Sequence, residues 1–487
     1  MCQIGHAGTH PAHHPAETDP PSKAQFYGRG KRSLNTDQVA RHLTRSGMRF
    51  YDRDRDGKTQ VSFNLRGFTE PQKGCARRAM EAWQDVADIS FHENARKADG
   101  SIQVTGSNRM ESGVAWGPDR HNSGARAMIG TRRAAHAPQE GSYFNTTMVH
   151  EIGHCLGLAH PGEYNGGGTY ERDATFAQDT RAGTVMSYWA ETKHAGHDFR
   201  GLMPSAPMMH DIAAIQKMYG ANHKTRSTDT TYGFNSNTGR DVLSLKNARE
   251  AALFCVWDGG GNDTLDFSGY GQNQKIDLNA ESFSDVGGLH GNVSIAKGVT
   301  LENAVGGSGN DVLTGNGADN RLKGGAGADR LRGGEGADTF VYDKASDSTP
   351  RNPDRIADFT SGTDKIDVSG ALREAGIKGL TFSSQFTGQP GNAVLSYQES
   401  TGRGSLAIDM NGNGKPDLLV ITTGKIAQAD IVTGGQAPTP SPRPTPTPAP
   451  VPEPETSASL LATVASFLQQ TLTLFQSLLR MLEKSHR

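Results

Sequence analysis

Two folded units in series, an α+β domain followed by an all-β parallel β-roll, with an amphipathic helix appended, is the architecture that three observations predict. Apolar residues in the first part recur at helical spacing and then alternate, residues 306–341 form four consecutive nonapeptides, and residues 438–454 are dominated by alternating prolines. A chain of 487 residues is also longer than one ordinary core organises. The expected boundaries are a leader or propeptide at 1–30, the α+β domain at 31–222, the roll at 223–435, a stiff polyproline linker at 436–455 and a helical tail at 456–487.

In the first domain, residues 36–47 carry Val39, Leu43 and Thr44 on one helical face. A second helix from Pro71 to Val86 places Ala76, Met80, Trp83 and Ala87 at the same spacing, and short alternating strands follow at 89–91 and 102–104.

The segment from His150 to His160 reads H-E-x-x-H-x-x-G-x-x-H. His150 and His154, four apart, share a helical face, a spacing that suits two legs of a tetrahedral Zn²⁺ site. Gly157 allows a sharp turn that brings His160 in as the third leg. Three neutral ligands leave a position for water, and Glu151 on the same helix is placed to take its proton as a carbonyl is attacked. Histidines that merely face a core are the alternative, and the register of three His, one Glu and one Gly speaks against it. Further on, Thr184-Val185-Met186-Ser187-Tyr188 has the form of a Met-turn. Met186 is expected to form an apolar floor beneath the imidazoles, and Tyr188 to ligate the metal at rest and hydrogen-bond the oxyanion during reaction.

The zinc segment with its continuation His160-Pro161-Gly162-Glu163-Tyr164-Asn165, and Val185-Met186-Ser187-Tyr188-Trp189, resembles the serralysin family of metzincins. So do residues 211–222, 232–237, 256–258, 346–350 and 364–367, so that the resemblance runs from about residue 33 to 434. It implies a metzincin catalytic domain and a secreted zinc endopeptidase of broad protein specificity, made as a zymogen and serving virulence, which leaves Gram-negative cells through a type I exporter.

The 60 glycines exceed a usual share of ~7%, and 11 of them fall in the four repeats. The repeat pattern is G-G-x-G-x-D-x-U-x, the RTX pattern, from which the second repeat departs; its glycines permit tight turns, its Asp binds Ca²⁺ and its apolar eighth residue fills the interior. The interior residues are Leu313, Leu322, Leu331 and Phe340. The calcium candidates are Gly307, Gly309 and Asp311 in the first repeat; Asn316, Ala318 and Asn320 in the second; Gly324, Gly325, Gly327 and Asp329 in the third; and Gly334, Gly336 and Asp338 in the fourth. Asn320 replaces the usual Asp, which keeps an oxygen but removes a charge, and Asp319 partly compensates. The resemblance further assigns a first calcium site to Arg226, Thr228, Thr230, Asp258, Gly260, Gly261 and Asp263, and a second to Thr300 and Glu302. The cofactors expected are therefore one catalytic Zn²⁺ and several structural Ca²⁺. Low calcium should leave the roll unfolded and exportable.

Other features bound the function. The 50 Lys+Arg and 52 Asp+Glu nearly balance and no long basic run occurs, which argues against nucleic acid. Cys2, Cys75, Cys155 and Cys255 lack C-x-x-C spacing and read as buried thiols or one optional bridge. Residues 1–20 lack the apolar core of a cleaved Sec signal, and no run of ~18 apolar residues suggests a membrane span. The leader is expected to cover the cleft, with Cys2 or one of His6, His10, His13 and His14 near the metal.

Residues 52–57 and 409–414 open like EF-hand loops but lack the closing Glu, having Phe63 and Val420 there, and read as turns. Residues 114–116 and 128–130 are candidate pocket walls, with the strand around Ala115 pairing with substrate. In the tail, Leu461, Val464, Leu468, Leu472, Phe475, Leu479 and Leu482 form an amphipathic stripe. A transposed secretion signal and a docking helix are favoured over membrane contact, which usually draws on more Lys and Arg. A non-catalytic, calcium-dependent binding protein on the same fold is the competing function, and intact Glu151, His150, His154, His160 and Tyr188 oppose it.

Overall fold

The computed structural model describes residues 30–119 and 122–434. The expectations for the leader, with Cys2 and its histidines, and for the proline-rich linker and helical tail lie outside these residues.

Helix α1 (Thr36–Leu43) starts on a capping box, in which the Asn35 carboxamide accepts from the Gln38 amide and the Gln38 side chain returns the bond, each at 2.9 Å. It ends at Leu43, short of the expected 47. Thr44 is the cap, its hydroxyl bonding back to the Ala40 carbonyl at 2.9 Å, and the chain turns through residues 44–46. Strand β1 (Thr59–Arg66) leads to α2 (Glu70–Val86), which opens on Thr69 with Pro71 in its first turn. Strands β2 (Ile89–Glu93), β3 (Gly100–Ser107), β4 (Gly113–Trp116) and β5 (Gly124–Gly130) complete a sheet of order β2-β1-β3-β5-β4. All its pairs are parallel except β4 against β5, so β4 is an antiparallel edge strand.

Helix α3 (Tyr143–Cys155) packs between this sheet and α2 and is almost wholly buried. The Trp83 indole on α2 donates to the Val149 carbonyl at 3.1 Å, which ties the two helices directly beside His150. Helix α4 (Met209–Tyr219) closes the domain and packs on α1.

Past α4, short parallel strands predominate; beside a small sheet of Phe283–Ser284, Val293–Ile295 and Phe254–Val256, two long sheets build the roll. One runs from Thr231–Gly233 through Thr264–Asp266, Asn303–Val305, Arg321–Lys323, Thr339–Val341 and Lys365–Asp367 to Ile431–Val432. The other passes from Lys275–Asp277 through Val312–Thr314, Arg330–Arg332 and Asp354–Ile356 to Leu418–Thr423, where antiparallel Arg403–Asp409 and Asn392–Gln398 continue it. Successive nonapeptides therefore alternate between sheets. The interior residues Leu313, Leu322, Leu331 and Phe340 are each no more than 1% exposed. Residues 409–414 form the turn between two antiparallel strands, and residues 52–57 the turn into β1.

An ion-pair network crosses from α2 to the start of the roll. Asp85 accepts from Arg226 at 2.9 Å and from two nitrogens of Arg240, both at 2.9 Å. Cys75, Cys155 and Cys255 are free and buried.

Candidate metal centre and acidic ladder

Three imidazoles converge at the end of α3. The Nε2 atoms of His154 and His160 are 3.0 Å apart and those of His160 and His150 3.3 Å. On each ring the other nitrogen is already committed. Nδ1 of His150 donates to the Val185 carbonyl at 2.7 Å, that of His154 to Leu158 at 2.8 Å and that of His160 to Tyr164 at 3.0 Å. With the Nδ1 protons so placed, three unprotonated Nε2 lone pairs face one another. That arrangement is repulsive unless a cation lies between them, and ~2.0–2.1 Å Zn–N bonds in tetrahedral geometry fit nitrogens so spaced. The donor set therefore fits zinc. Burial lowers His154 to about 4 and His160 well below its ordinary value, favouring the neutral imidazoles that a metal needs.

The backbone explains how His160 arrives. Gly157 has φ +101°, and a Cβ there would run into the Met48 carbonyl. The chain can therefore reverse after α3 only with glycine at this position.

Glu151 is 5% exposed, and burial raises its carboxyl to about 8. Its side chain lies against Gly113 of β4, where any Cβ would meet the carboxylate. A proton acceptor is thus set between the metal helix and the edge strand. Met186 is fully buried. The Tyr188 ring stands 4.5 Å from that of His160 and 5.9 Å from that of His150, and its hydroxyl accepts from the Gly166 amide at 3.5 Å. Residues 114–116 and 128–130 lie on the paired strands β4 and β5 and meet at Val114 opposite Met128, while Ala115 and Trp116 face Ala127 and Arg126 and Ile129 faces Gly113.

Sequence reasoning passed over Asp211, a fully buried carboxylate at the start of α4. It accepts from the Thr184 hydroxyl at 2.6 Å, the Val185 amide at 2.7 Å and the Met208 amide at 2.9 Å. It thereby fixes the turn whose Val185 carbonyl orients His150. Burial raises it to about 7. Its position just ahead of an apolar helical run is the signal that marks it.

In the roll, aspartates stack into two ladders. The Asp311 amide donates to Asp329 and the Asp329 amide to Asp354, at 2.7 and 2.8 Å; the Asn320 amide donates to Asp338 and the Asp338 amide to Asp364, at 2.8 and 3.1 Å. Asp354 and Asp364 were not among the expected ligands, although each opens the same D-x-U triplet as the repeats. One oxygen each of Asp263, Asp329 and Asp354 is buried with no hydrogen-bond partner. Such orphaned oxygens suit a cation. Gly325 (φ +94°) and Gly327 (φ +140°) lie directly against the Gly307 and Gly309 carbonyls, leaving no room for a side chain; Gly334 and Gly336 do the same over Asn316 and Ala318, and Gly324 lies against the Asp329 carboxylate.

Nearer the first domain, the Thr230 amide donates to Asp263 and the Asp263 amide to Glu302, both at 2.8 Å, while Asp258 accepts from Tyr232 and Gly260. Burial, then the neighbouring Asp258, raises Asp263. Thr230 also bonds the Thr228 carbonyl, and Gly261 packs on Thr228. Thr300 precedes Glu302 by two residues. The Arg226 side chain is engaged elsewhere than at the expected calcium site. It is a cation bound to Asp85 and the Trp257 carbonyl, so only its main-chain oxygen is left to face a metal.

Among known proteins, residues 221–433 match the family model described as peptidase M10 serralysin C terminal, and residues 74–199 one described as metallopeptidase family M12B, reprolysin-like. The metalloprotease AprA of Pseudomonas entomophila is 50% identical over 443 residues, covering 83% of this chain and 91% of its own. The metallopeptidase AprA of Pseudomonas marginalis is 48% identical over 443 residues, covering 83% and 92%. A serralysin of Photorhabdus luminescens is 48% identical over 365 residues, covering 71% and 75%.

Proposed function

The chain belongs to the serralysin family of metalloproteases and is a zinc metalloendopeptidase, and from that premise we propose how its own residues divide the work. His150, His154 and His160 hold the zinc, which when bound supplies Lewis acidity toward water and the scissile carbonyl. Glu151 takes the proton from the attacking water and passes it to the leaving amine. Tyr188, beside two of the ligands, donates its hydroxyl to the developing oxyanion. The edge strand β4 offers unpaired main-chain groups to an extended substrate. The observation that carries the reading is the convergence of three Nε2 atoms whose Nδ1 protons are all spoken for.

The same reading gives the roll, residues 223–435, a structural calcium role through Asp258, Asp263, Glu302, Asp311, Asn320, Asp329 and Asp338. It extends to Asp354 and Asp364, and the orphaned oxygens support it. Residues 31–222 form the peptidase domain. Secretion through a type I exporter and broad protein specificity belong to the same proposal. So does a zymogen leader.

Casein cleavage by the purified protein with Zn²⁺ and Ca²⁺ is the test, repeated after o-phenanthroline, after EGTA and with Glu151→Ala. Activity is expected only in the untreated wild type. An inactive untreated protein, even after removal of the leader, favours the binding-protein alternative.

A further inference from the structure

Asp179 is fully buried, and one of its oxygens accepts two hydroxyls, Tyr164 at 2.7 Å and Ser187 at 2.8 Å. These donors belong to different parts of the site. Tyr164 receives the Nδ1 proton of His160 on its carbonyl and stacks its ring on the same imidazole, 5.3 Å between centroids and 20° from parallel. Its ring also lies 5.0 Å from that of Tyr188. Ser187 directly precedes Tyr188, and its oxygen accepts the Trp189 amide at 3.1 Å. Two residues beyond Asp179, Arg181 donates a guanidinium N–H to the Tyr188 carbonyl at 2.8 Å and its amide to the Trp189 carbonyl at 2.9 Å. Residues 179–181 thus grip residues 187–189 from one side while Asp179 also holds Tyr164.

We propose that Asp179 is a positioning residue for peptide hydrolysis: its carboxylate sets Tyr164 against His160 and Ser187 ahead of Tyr188, locking the third metal ligand and the oxyanion donor into one register. The inference rests on the roles given above to His160 and Tyr188. A displaced Tyr164 releases both restraints on the His160 ring, and a displaced Ser187 lets the Tyr188 phenol shift along its turn. Partners that orient metal-bound histidines typically matter by ~10- to 100-fold in metal affinity or activity.

The test measures zinc release to 4-(2-pyridylazo)resorcinol, together with kcat and KM on a quenched peptide, in the full chain loaded with zinc and calcium. Tyr164→Phe and Ser187→Ala each remove one hydroxyl. Tyr164→Phe should speed zinc release about 10-fold, and Ser187→Ala should lower kcat with KM unchanged. Asp179→Ala should do both, and Asp179→Asn, which keeps an acceptor oxygen, should recover part of each. Adding Tyr164→Phe to Asp179→Ala should then change zinc release less than about two-fold, because the shared acceptor is already gone. If Asp179→Ala fails to fold, the Tyr164→Phe/Ser187→Ala double variant stands in for it and should combine the faster zinc release with the lowered kcat, while in Asp179→Asn the effect of Tyr164→Phe should be reduced rather than abolished. A merely structural role would lower the thermal transition while leaving zinc release and kcat at wild-type values, and that result overturns the proposal. Equal effects of Tyr164→Phe with and without Asp179 overturn it as well. His160→Ala separates the two levels: if it keeps zinc as wild type does, the underlying metal assignment fails, whereas zinc loss there with normal retention in every Asp179 variant sinks this inference alone.

Discussion

The metal centre on α3 and the ladders of the roll both bury polar groups that call for a cation, but they differ in how much the protein itself satisfies. At the centre, each imidazole has a carbonyl partner on its Nδ1, and the surrounding turns are fixed by apolar packing, Asp211 and Gly157. The ligands are held before any metal arrives. In the roll, Asp263, Asp329 and Asp354 each keep an orphaned buried oxygen, and the strands are only three residues long. Burying an unpaired carboxylate costs free energy that so thin a core offsets poorly. A preformed site binds its ion as a reagent; an unsatisfied one binds it as part of the fold.

The largest effect should come from the chemistry of the preformed site. Glu151→Ala is expected to lower kcat/KM by at least ~10²- to 10⁴-fold, the usual worth of a positioned general base, while zinc content by metal analysis stays at wild type. A variant that loses its zinc instead would show that Glu151 helps to build the centre, and would blur the contrast with the roll.

Next is ion removal. EGTA at constant zinc should strip hydrogen-exchange protection from the strands Arg321–Lys323 and Arg330–Arg332 while α3 keeps more of its own. Equal loss in both regions would mean that the two form one cooperative unit despite their different construction.

How much of this was legible in the sequence follows the same division. The zinc ligands and Glu151 lie within eleven consecutive residues, so local helix geometry brings them together, and spacing alone reveals them. The repeats were legible because each interior leucine and each aspartate recurs at a fixed interval. The Asp85 network was not, because only tertiary packing joins partners as distant as Asp85 and Arg240, 155 residues apart; Asp179 and Asp211 escaped because their nearer partners sit in irregular turns with no repeating spacing to reveal them. The end of α1 was missed for a local reason. Thr44 continues the apolar pattern, but its hydroxyl caps the helix by bonding back to Ala40. Asp354 and Asp364 escaped because the glycine spacing breaks after residue 341 even though the D-x-U triplet persists.

A third, smaller effect concerns pH in the absence of calcium. Burial raises Asp338 to about 7, Asp329 to about 8 and Asp354 to about 9, from an ordinary 3.8. Acids whose folded value lies above the unfolded one stabilise the fold fully at low pH and lose that contribution as pH climbs through the folded values. The ion-free roll should therefore weaken progressively between about pH 4 and pH 9, and calcium, which favours the ionised form, should flatten the trend. Urea midpoints measured with EGTA at about pH 5 and about pH 8 check the sign. A calcium-free midpoint that rises with pH would mean these carboxylates find partners other than an ion.

The smallest effect sharpens the comparison at one residue. Asn320 sits where the other repeats carry Asp, and it is satisfied within the protein. Its oxygen accepts the Asn316 amide at 2.7 Å, and its nitrogen donates to the Glu302 carbonyl at 3.2 Å and to the Asn316 side chain at 3.1 Å. It is the rung of the ladder built like the metal centre, complete without an ion. Asn320→Asp removes both donated bonds and adds a buried charge close to Asp338, so the calcium-free protein should lose about 1–3 kcal/mol. The added charge should strengthen calcium binding at that turn, moving the calcium midpoint of folding lower and making the transition steeper. A substitution that destabilises the ion-free roll without shifting the calcium midpoint would place the nearest ion elsewhere on the ladder, and would make Asn320 a purely structural rung.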